Sequence, residues 1–305
     1  MQLLYEGVDI TDRIGISAAI TTDGAGGIAD GIRLTLFDAA DWIRWGPKAD
    51  DRIAIEDDGY RSGNMYIDTL DPDGDMYRLT AYSMPSAARN TKWASYEHVT
   101  LFELTSIIAG ELGMGAALHG IGGGIFFPYL IRKNETALGF LRRILAFEGA
   151  VVKCFDGQLV VVGMLWAQEQ PAIRALTLGT DMSGAKPMRL GTGGYNRCTM
   201  LYPGGRGTAV ATQSSADGDL TLSDVPIFDN IQAGRWARGG LLQEIRGYDQ
   251  LQWAMAFDPA LTGLTRFDLH APGDLSGEWI VEQVEHDHIE RRSNCLFYRC
   301  VHGIV

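Results

Sequence analysis

Four consecutive residues, Glu285-His286-Asp287-His288, place two imidazoles and two carboxylates side by side. On an extended strand side chains alternate, so His286 and His288 share one face about 6–7 Å apart, close enough to chelate a metal ion. A stable site needs a third and a fourth ligand. Glu282 falls on that face but further along, and His270 and His302 have no place assigned by the pattern. The competing reading is a solvated strand end that runs into the turn I-E-R-R-S-N, and the missing partners favour it.

Other stretches meet similar tests. Gly24-Ala25-Gly26-Gly27-Ile28-Ala29 fits G-x-G-x-x-A, but a dinucleotide site needs a helix next, whose N–H groups hold the pyrophosphate. The sequel alternates with period two and reads as a strand. Asp71-x-Asp73-x-Asp75 has the spacing of a calcium loop, yet Met76 occupies the required glycine and Tyr82 the bidentate glutamate. The clusters G-I-G-G-G (120–124) and P-G-G-R-G (203–207) lack the G-K-[ST] ending of a phosphate loop, and no G-x-S-x-G elbow occurs. The sequence thus nominates no catalytic, cofactor-binding or metal-ligating residue, and no cofactor.

The elements that carry these stretches are mostly strands. Ile32, Leu34 and Leu36 alternate with Arg33, Thr35 and Phe37, and Ile53 and Ile55 alternate within R-I-A-I-E. Strands at 65–70 and 76–82 flank the turn cluster D-P-D-G-D. Near Ser86 the texture changes. Thr100-x-x-Glu103 is a capping box, followed by Leu101, Leu104, Ile108 and Leu112 at helical spacing, and Gly113 ends the helix. Asn134 is placed as the cap of a second helix with the stripe Leu138, Leu141 and Leu145, closed by Gly149. V-V-K-C-F-D-G-Q-L-V-V-V then reads as a hairpin turning at Asp156-Gly157. From Trp166 strands and glycine-rich turns return, with a helix within 230–245. Gly63-x-Met65-x-Ile67-x-x-Leu70 is echoed by Gly277-x-Trp279-x-Val281-x-x-Val284, each followed by a strand with Tyr-Arg (Tyr77-Arg78, Tyr298-Arg299).

Composition sets the class. The 305 residues are 46% hydrophobic and 21% charged, as in ordinary globular proteins, and 38 glycines imply many turns. The net charge of −12 argues against a protein that grips phosphate backbones. Residues 1–90 hold 16 acidic and 8 basic residues. The start of the chain has acids at Glu6 and Asp9 where a signal peptide has bases, and no apolar run reaches the roughly 18 residues of a membrane span. Cys154, Cys198, Cys295 and Cys300 show no C-x-x-C spacing and read as buried thiols of a protein made in a reducing cytosol.

Four stretches carry a family likeness: L-L-Y-E-G-V-D-I-T-D-R-I at the start, A-D-G-I-R-L-T-L-F-D…W-I-R-W-G-P-K-A-D-D-R-I (29–53), N-E-T-A-L-G-F-L-R-R-I-L-A-F-E-G-A-V-V-K-C-F-D-G-Q-L-V-V (134–161) and G-E-W-I-V-E-Q-V-E-H (277–286). In their order and spacing the chain resembles the late control protein D family, the baseplate hub proteins of contractile phage tails, and the hub portion of type VI secretion spike proteins. The stretch 180–250 carries no part of the likeness, and no lysozyme-like, peptidase-like or β-helical region is expected. The resemblance implies an α+β, mainly β fold with two tail-tube-like antiparallel β-barrels, 1–88 and 166–305, the second with a partly helical insertion around 225–250. Between them an α/β helix–helix–hairpin module spans 89–165.

The resemblance further implies a homotrimeric, non-enzymatic adaptor in the baseplate of a virion or tail-like particle. The tail tube protein sits above it and the central spike below, with the tape measure and other baseplate proteins as further partners. No specific nucleic-acid binding and no membrane span are expected. Two other classes compete: a tail-associated cell-wall hydrolase, and a stand-alone receptor- or carbohydrate-binding β protein that would use Trp42, Trp45, Trp93 and Trp236. Aromatic residues in strands more often belong to the core.

Overall fold

In a computed structural model the described residues are 1–27, 29–37, 40–179, 182–189, 194–212 and 216–305. The first ninety residues give β1 (Gln2–Tyr5), β2 (Val8–Asp9), β3 (Gly15–Gly24), β4 (Gly31–Phe37), the short α1 (Ala40–Trp45), β5 (Arg52–Asp57), β6 (Tyr60–Arg61), β7 (Met65–Asp73) and β8 (Met76–Tyr82). The alternation seen in the sequence is the pleat: Ile32, Leu34 and Leu36 are buried while Arg33 and Phe37 face out. The D-P-D-G-D turn is tighter than the cluster suggests. Both strands run to the Asp73↔Met76 pair, and Gly74, at φ +63°, makes the reversal.

The middle of the chain gives β9 (Thr91–Thr100), α2 (Leu101–Glu111), β10 (Gly115–His119), β11 (Phe126–Thr136), α3 (Ala137–Phe147), β12 (Ala150–Phe155) and β13 (Gln158–Gly163). The Thr100–Glu103 capping box forms as the sequence indicates. The second helix is capped by Thr136, whose hydroxyl accepts from Gly139 N–H at 3.1 Å, and not by Asn134. Asn134 instead takes φ +52° at the irregularity in β11 between Arg132 and Glu135. Asparagine tolerates that region, so the same residue type served the bulge. Strands β9, β10 and β11 escaped the sequence reading; β10 runs parallel to β13 beside the Asp156-Gly157 hairpin.

The last part gives α4 (Met164–Glu169), β14 (Ala175–Thr177), β15 (Ala185–Arg189), β16 (Tyr195–Tyr202), β17 (Gly205–Val210), β18 (Gly218–Leu222), α5 (Asn230–Ile245), β19 (Asp249–Ala256), β20 (Arg266–His270), β21 (Gly277–Asp287) and β22 (Arg292–Arg299). Helix α5 packs on the small sheet β17-β16-β18, and this unit shares one apolar core with the α2–α3 region through residues such as Ile144, Leu145, Trp236 and Leu242.

Two barrels were expected; the described residues form no closed barrel. Strands of both β regions instead belong to one 14-stranded sheet whose main path runs β15-β19-β22-β21-β3-β4-β8-β7-β5-β1-β2. The join is an antiparallel ladder in which Gln283–Asp287 of β21 pair with Gly24–Ile20 of β3. On either side lie separate apolar cores, one holding Leu3, Ile32, Trp42, Ile55 and Leu79, the other Leu251, Phe267, Trp279 and Phe297.

Within this sheet one pattern occurs twice. The neighbours β3-β4-β8-β7-β5 correspond to β15-β19-β22-β21-β20. The pairs Thr21↔Ile32, Ile32↔Ala81, Ile67↔Ala81 and Ile53↔Met65 match Pro187↔Leu251, Leu251↔Phe297, Val281↔Phe297 and Phe267↔Trp279. Each second hairpin carries a bulge at the same place, Asp68 between Ile67 and Thr69, and Glu282 between Val281 and Gln283. Each bulge carboxylate meets an arginine, Arg89 and Arg246 respectively. The Gly63/Gly277 echo therefore holds in register. The Tyr-Arg part does not, because Tyr298 corresponds to Tyr82, through Ile280↔Tyr298 and Tyr66↔Tyr82, and not to Tyr77.

Candidate functional site

The β3–β21 join brings the sequence's chemical candidates into one place. His286 and His288 do share a face, with ring centroids 6.2 Å apart, but the strand end is not solvated: both are buried. Every ring nitrogen has a partner. His286 Nε2 donates to the Leu261 carbonyl at 2.9 Å, which leaves Nδ1 to accept from the Ser293 hydroxyl at 2.8 Å. Ser293 Oγ in turn accepts from Asp258 N–H at 3.0 Å. The Asp57 carboxylate accepts from His288 Nδ1 at 2.8 Å, and Thr21 Oγ1 lies 3.0 Å from His288 Nε2. Arg291 Nη1 and the Met1 amino group complete the shell of Asp57 at 2.6 and 3.2 Å. Tyr60 and Phe257 close the rings off edge-on, and the Arg291 guanidinium lies 4.0 Å from the Phe257 centroid.

Burial keeps the two imidazoles neutral. It lowers His286 to about 4, against a small opposing pull from its bond to Leu261, and it lowers His288 despite the bond to Asp57. Burial alone would raise Asp57; the bonds from His288 and the Met1 amino group, together with Arg291, outweigh it and hold the carboxyl low. Asp57, His288 and Thr21 align as a carboxylate–imidazole–hydroxyl relay, the arrangement that activates a nucleophile when the hydroxyl faces a cleft. Here Thr21 has 0% of its surface exposed, so no substrate reaches it. The relay is a polar clasp between two cores.

The metal reading loses its ligands one by one. Glu282 is engaged by Arg246, His302 Nε2 by Glu278 at 2.6 Å, and His270 lies exposed at the end of β20. Asp73 pairs with Arg78 at 2.8 Å on the exposed β7–β8 hairpin. No group of three or more His, Cys, Asp or Glu side chains among the described residues could hold a metal ion.

The glycine cluster 24–27 supports a second junction; Ile28 lies outside the described residues. Gly26 sits at φ +96°, and a Cβ there would stand 2.8 Å from the Val152 carbonyl. Ala25 N–H donates to the Glu282 carbonyl at 2.8 Å and Arg142 to the Gly27 carbonyl at 2.7 Å. The loop's backbone is thus tied to neighbouring strands and helix, and its sequel, Gly31–Phe37, is a strand that offers no helix N-terminus to a pyrophosphate. Next to the loop, largely buried Lys153 lies between Asp23 and Asp30, with Asp30 Oδ2 at 3.4 Å. Burial raises Asp30 to about 6, with Lys153 pulling it down and Asp23 pushing it up, while the two carboxylates hold Lys153 charged against its own burial.

Sequence reasoning missed Thr21, Asp57, Ser293, Asp23, Asp30 and Lys153. Only Lys153 carried a local signal: a lone charge within V-V-K-C-F, which requires an acidic partner once that strand is buried. Of the tryptophans weighed for ligand stacking, Trp42 and Trp236 are core, Trp45 stacks on Tyr5, and Trp93 alone is broadly exposed, at 68%. All four cysteines are free and buried.

No known family profile and no curated protein sequence matches the chain. Solved structures do. The 43 kDa tail protein of prophage MuSo2 from Shewanella oneidensis superposes with a TM-score of 0.73 at 13% identity, over 97% of this chain and 97% of that one. A tail protein from Neisseria meningitidis gives 0.74 at 11% identity, over 98% and 95%. A type VI secretion component from E. coli, described as structurally similar to the T4 tail proteins gp27 and gp5, gives 0.59 at 12% identity, over 99% and 77%. The chain has the fold of these phage tail and type VI secretion proteins.

Proposed function

We propose that the protein is a structural baseplate hub of a contractile phage tail or related particle, a trimeric adaptor between a sixfold tail tube and a threefold central spike. The observation that carries this reading is the repeated strand pattern, the same five strands and the same bulge occurring twice in one sheet. Three chains with two equivalent units each offer six similar positions to a tube and three identical ones to a spike. The whole-length likeness to tail proteins supports the same reading. The α2–α3 region with its hairpin lies between the two units in sequence and is assigned to the periphery of the ring.

A hydrolase reading finds no support at the described site, where the one nucleophile-like relay is sealed. Purified particles from a producing strain test the proposal by mass spectrometry and electron microscopy. Three copies at the junction of tube and spike are expected. Six copies, or absence from the particle, would refute it.

A further inference from the structure

Where the glycine loop meets α3 and the end of α5, a cavity of about 430 Å3 is lined by Gly27, Gly139, Arg142, Arg143, Gln243 and Arg246. It adjoins a cavity of about 310 Å3, with Gly26, Gly139 and Arg142 in both walls. Arg89 and Lys153 line the second cavity, and among the described residues Asp30 is the one carboxylate in either lining. Five cations against one acid reverses the balance of the chain, with its 26 basic and 38 acidic residues.

Four of the five cations are already paired: Arg89 with Asp68, Arg143 with Glu135, Arg246 with Glu282, and Lys153 with Asp23 and Asp30. Arg142 is not. It makes no ion pair among the described residues, and of its five N–H donors one is spent, on the Gly27 carbonyl at 2.7 Å. Two neighbours also hold donors in reserve. Arg246 is 8% exposed, and its Nε–H is buried without an acceptor. Five buried side-chain atoms among the described residues lack a partner, and only that of Arg246 belongs to a residue lining these two cavities. Half-buried Gln243 makes no side-chain hydrogen bond among the described residues. A buried donor left unmade costs stability, a cost that an acceptor from outside the chain removes.

We infer that this groove binds an extended, acidic segment of another tail component, an inference that rests on the hub reading. A carboxylate of the segment bridges Arg142 and Arg246, and Gln243 orients it. An apolar side chain beside that acid enters the second cavity among Met84, Ala88 and Leu138. Inorganic phosphate would fill only a small part of the two cavities. The acid-rich β7–β8 tip of a second copy does not reach the groove. That tip lies at the Asp73↔Met76 end of the sheet, and the groove lies at the other end, beyond Thr22↔Gly31 and Gly31↔Tyr82. The β3–β21 join sets the two β units side by side, so a ring that continues it keeps like ends level. The groove therefore faces a different protein seated on that end of the ring.

The test places a photoreactive side chain in the groove, Gln243→p-benzoylphenylalanine, with the same residue at Arg143 as a second position. Assembled particles are irradiated and the linked peptide is read by mass spectrometry. A peptide of a different particle protein is expected, with Asp or Glu within about three residues of the link, roughly 10 Å of extended chain. Separately, Arg142→Glu should lower incorporation into particles about tenfold or more, Arg142→Lys should lower it less, and lysine in place of the linked acid should rescue Arg142→Glu. Particles that hold three copies but give no link, a link to a second copy or a link to a peptide without acids overturn the groove and leave the hub reading standing. So does unchanged incorporation of Arg142→Glu. Absence of the native protein from the particle overturns both.

Discussion

His286 spends both ring nitrogens on protein partners, and a metal would have to break those bonds first. Protein purified without a histidine tag is therefore expected to contain no stoichiometric zinc, iron or manganese, as elemental analysis can check. The same burial gives a pH dependence with a definite sign. Because the folded-state value is lowered to about 4 from 6.5, the contribution of His286 to stability is whole above about pH 6.5, falls as the pH drops, and levels off below about 4. The full loss is about 3 kcal/mol at roughly 1.4 kcal/mol per pH unit. Denaturation midpoints from pH 8 to 4 should show that slope, and His286→Gln should reduce it, leaving the share of His288. Lys153→Met removes the cation shared by buried Asp30 and half-buried Asp23 and should cost about 3 kcal/mol at pH 7. Asp30, already raised to about 6, loses the ammonium that pulls it down, so acidification should recover part of that cost. These residues were hard to find in the sequence because burial and long-range partners define them. His286-x-His288 announced itself as a pair, but Asp57 and Thr21 stand 231 and 267 positions from His288.

Helix ends and tight turns were legible because their signals are local. The Thr100 hydroxyl and the Glu103 carboxylate satisfy each other's backbone N–H groups within four residues, and Thr100→Ala should cost about 1 kcal/mol in chemical denaturation. Asp156 and Gly157 both take positive φ, as a two-residue hairpin requires. The Asn134 assignment shows the limit of such signals: the residue type fits a cap and a bulge alike, and only the backbone of β11 decided between them. Strands β9 and β11 lacked a clean alternation, since positive φ at His98 and Asn134 interrupts their pleat. Where α3 meets α5 the contact is tighter than either helix shows alone. A Cβ on Gly239 would collide with the Phe147 carbonyl, so Gly239→Val should push the helices apart and lower the melting temperature by several degrees, for a loss of about 1–3 kcal/mol.

At the scale of the molecule, the mainly β class and the repeated hairpin could be read from period-two patterns and from Gly63 and Gly277. That the two β regions share one sheet could not, since no local pattern says which edges meet. The join between β3 and β21 also dictates an order of events during synthesis. Strand β3 leaves the ribosome early, yet Thr21 must wait 267 positions for His288. At roughly 5–20 residues per second that interval is on the order of 10–50 s, during which a nearly finished N-terminal half presents an unsatisfied strand edge to the cell. Long-range pairing of this kind folds slowly and invites wrong neighbours in the meantime. A chain stopped before Gly277 is accordingly expected to collect in the insoluble fraction, whereas co-expression of residues 246–305 as a separate piece should return part of it to solution. Strands β21 and β22 would then act as a chaperone for β3.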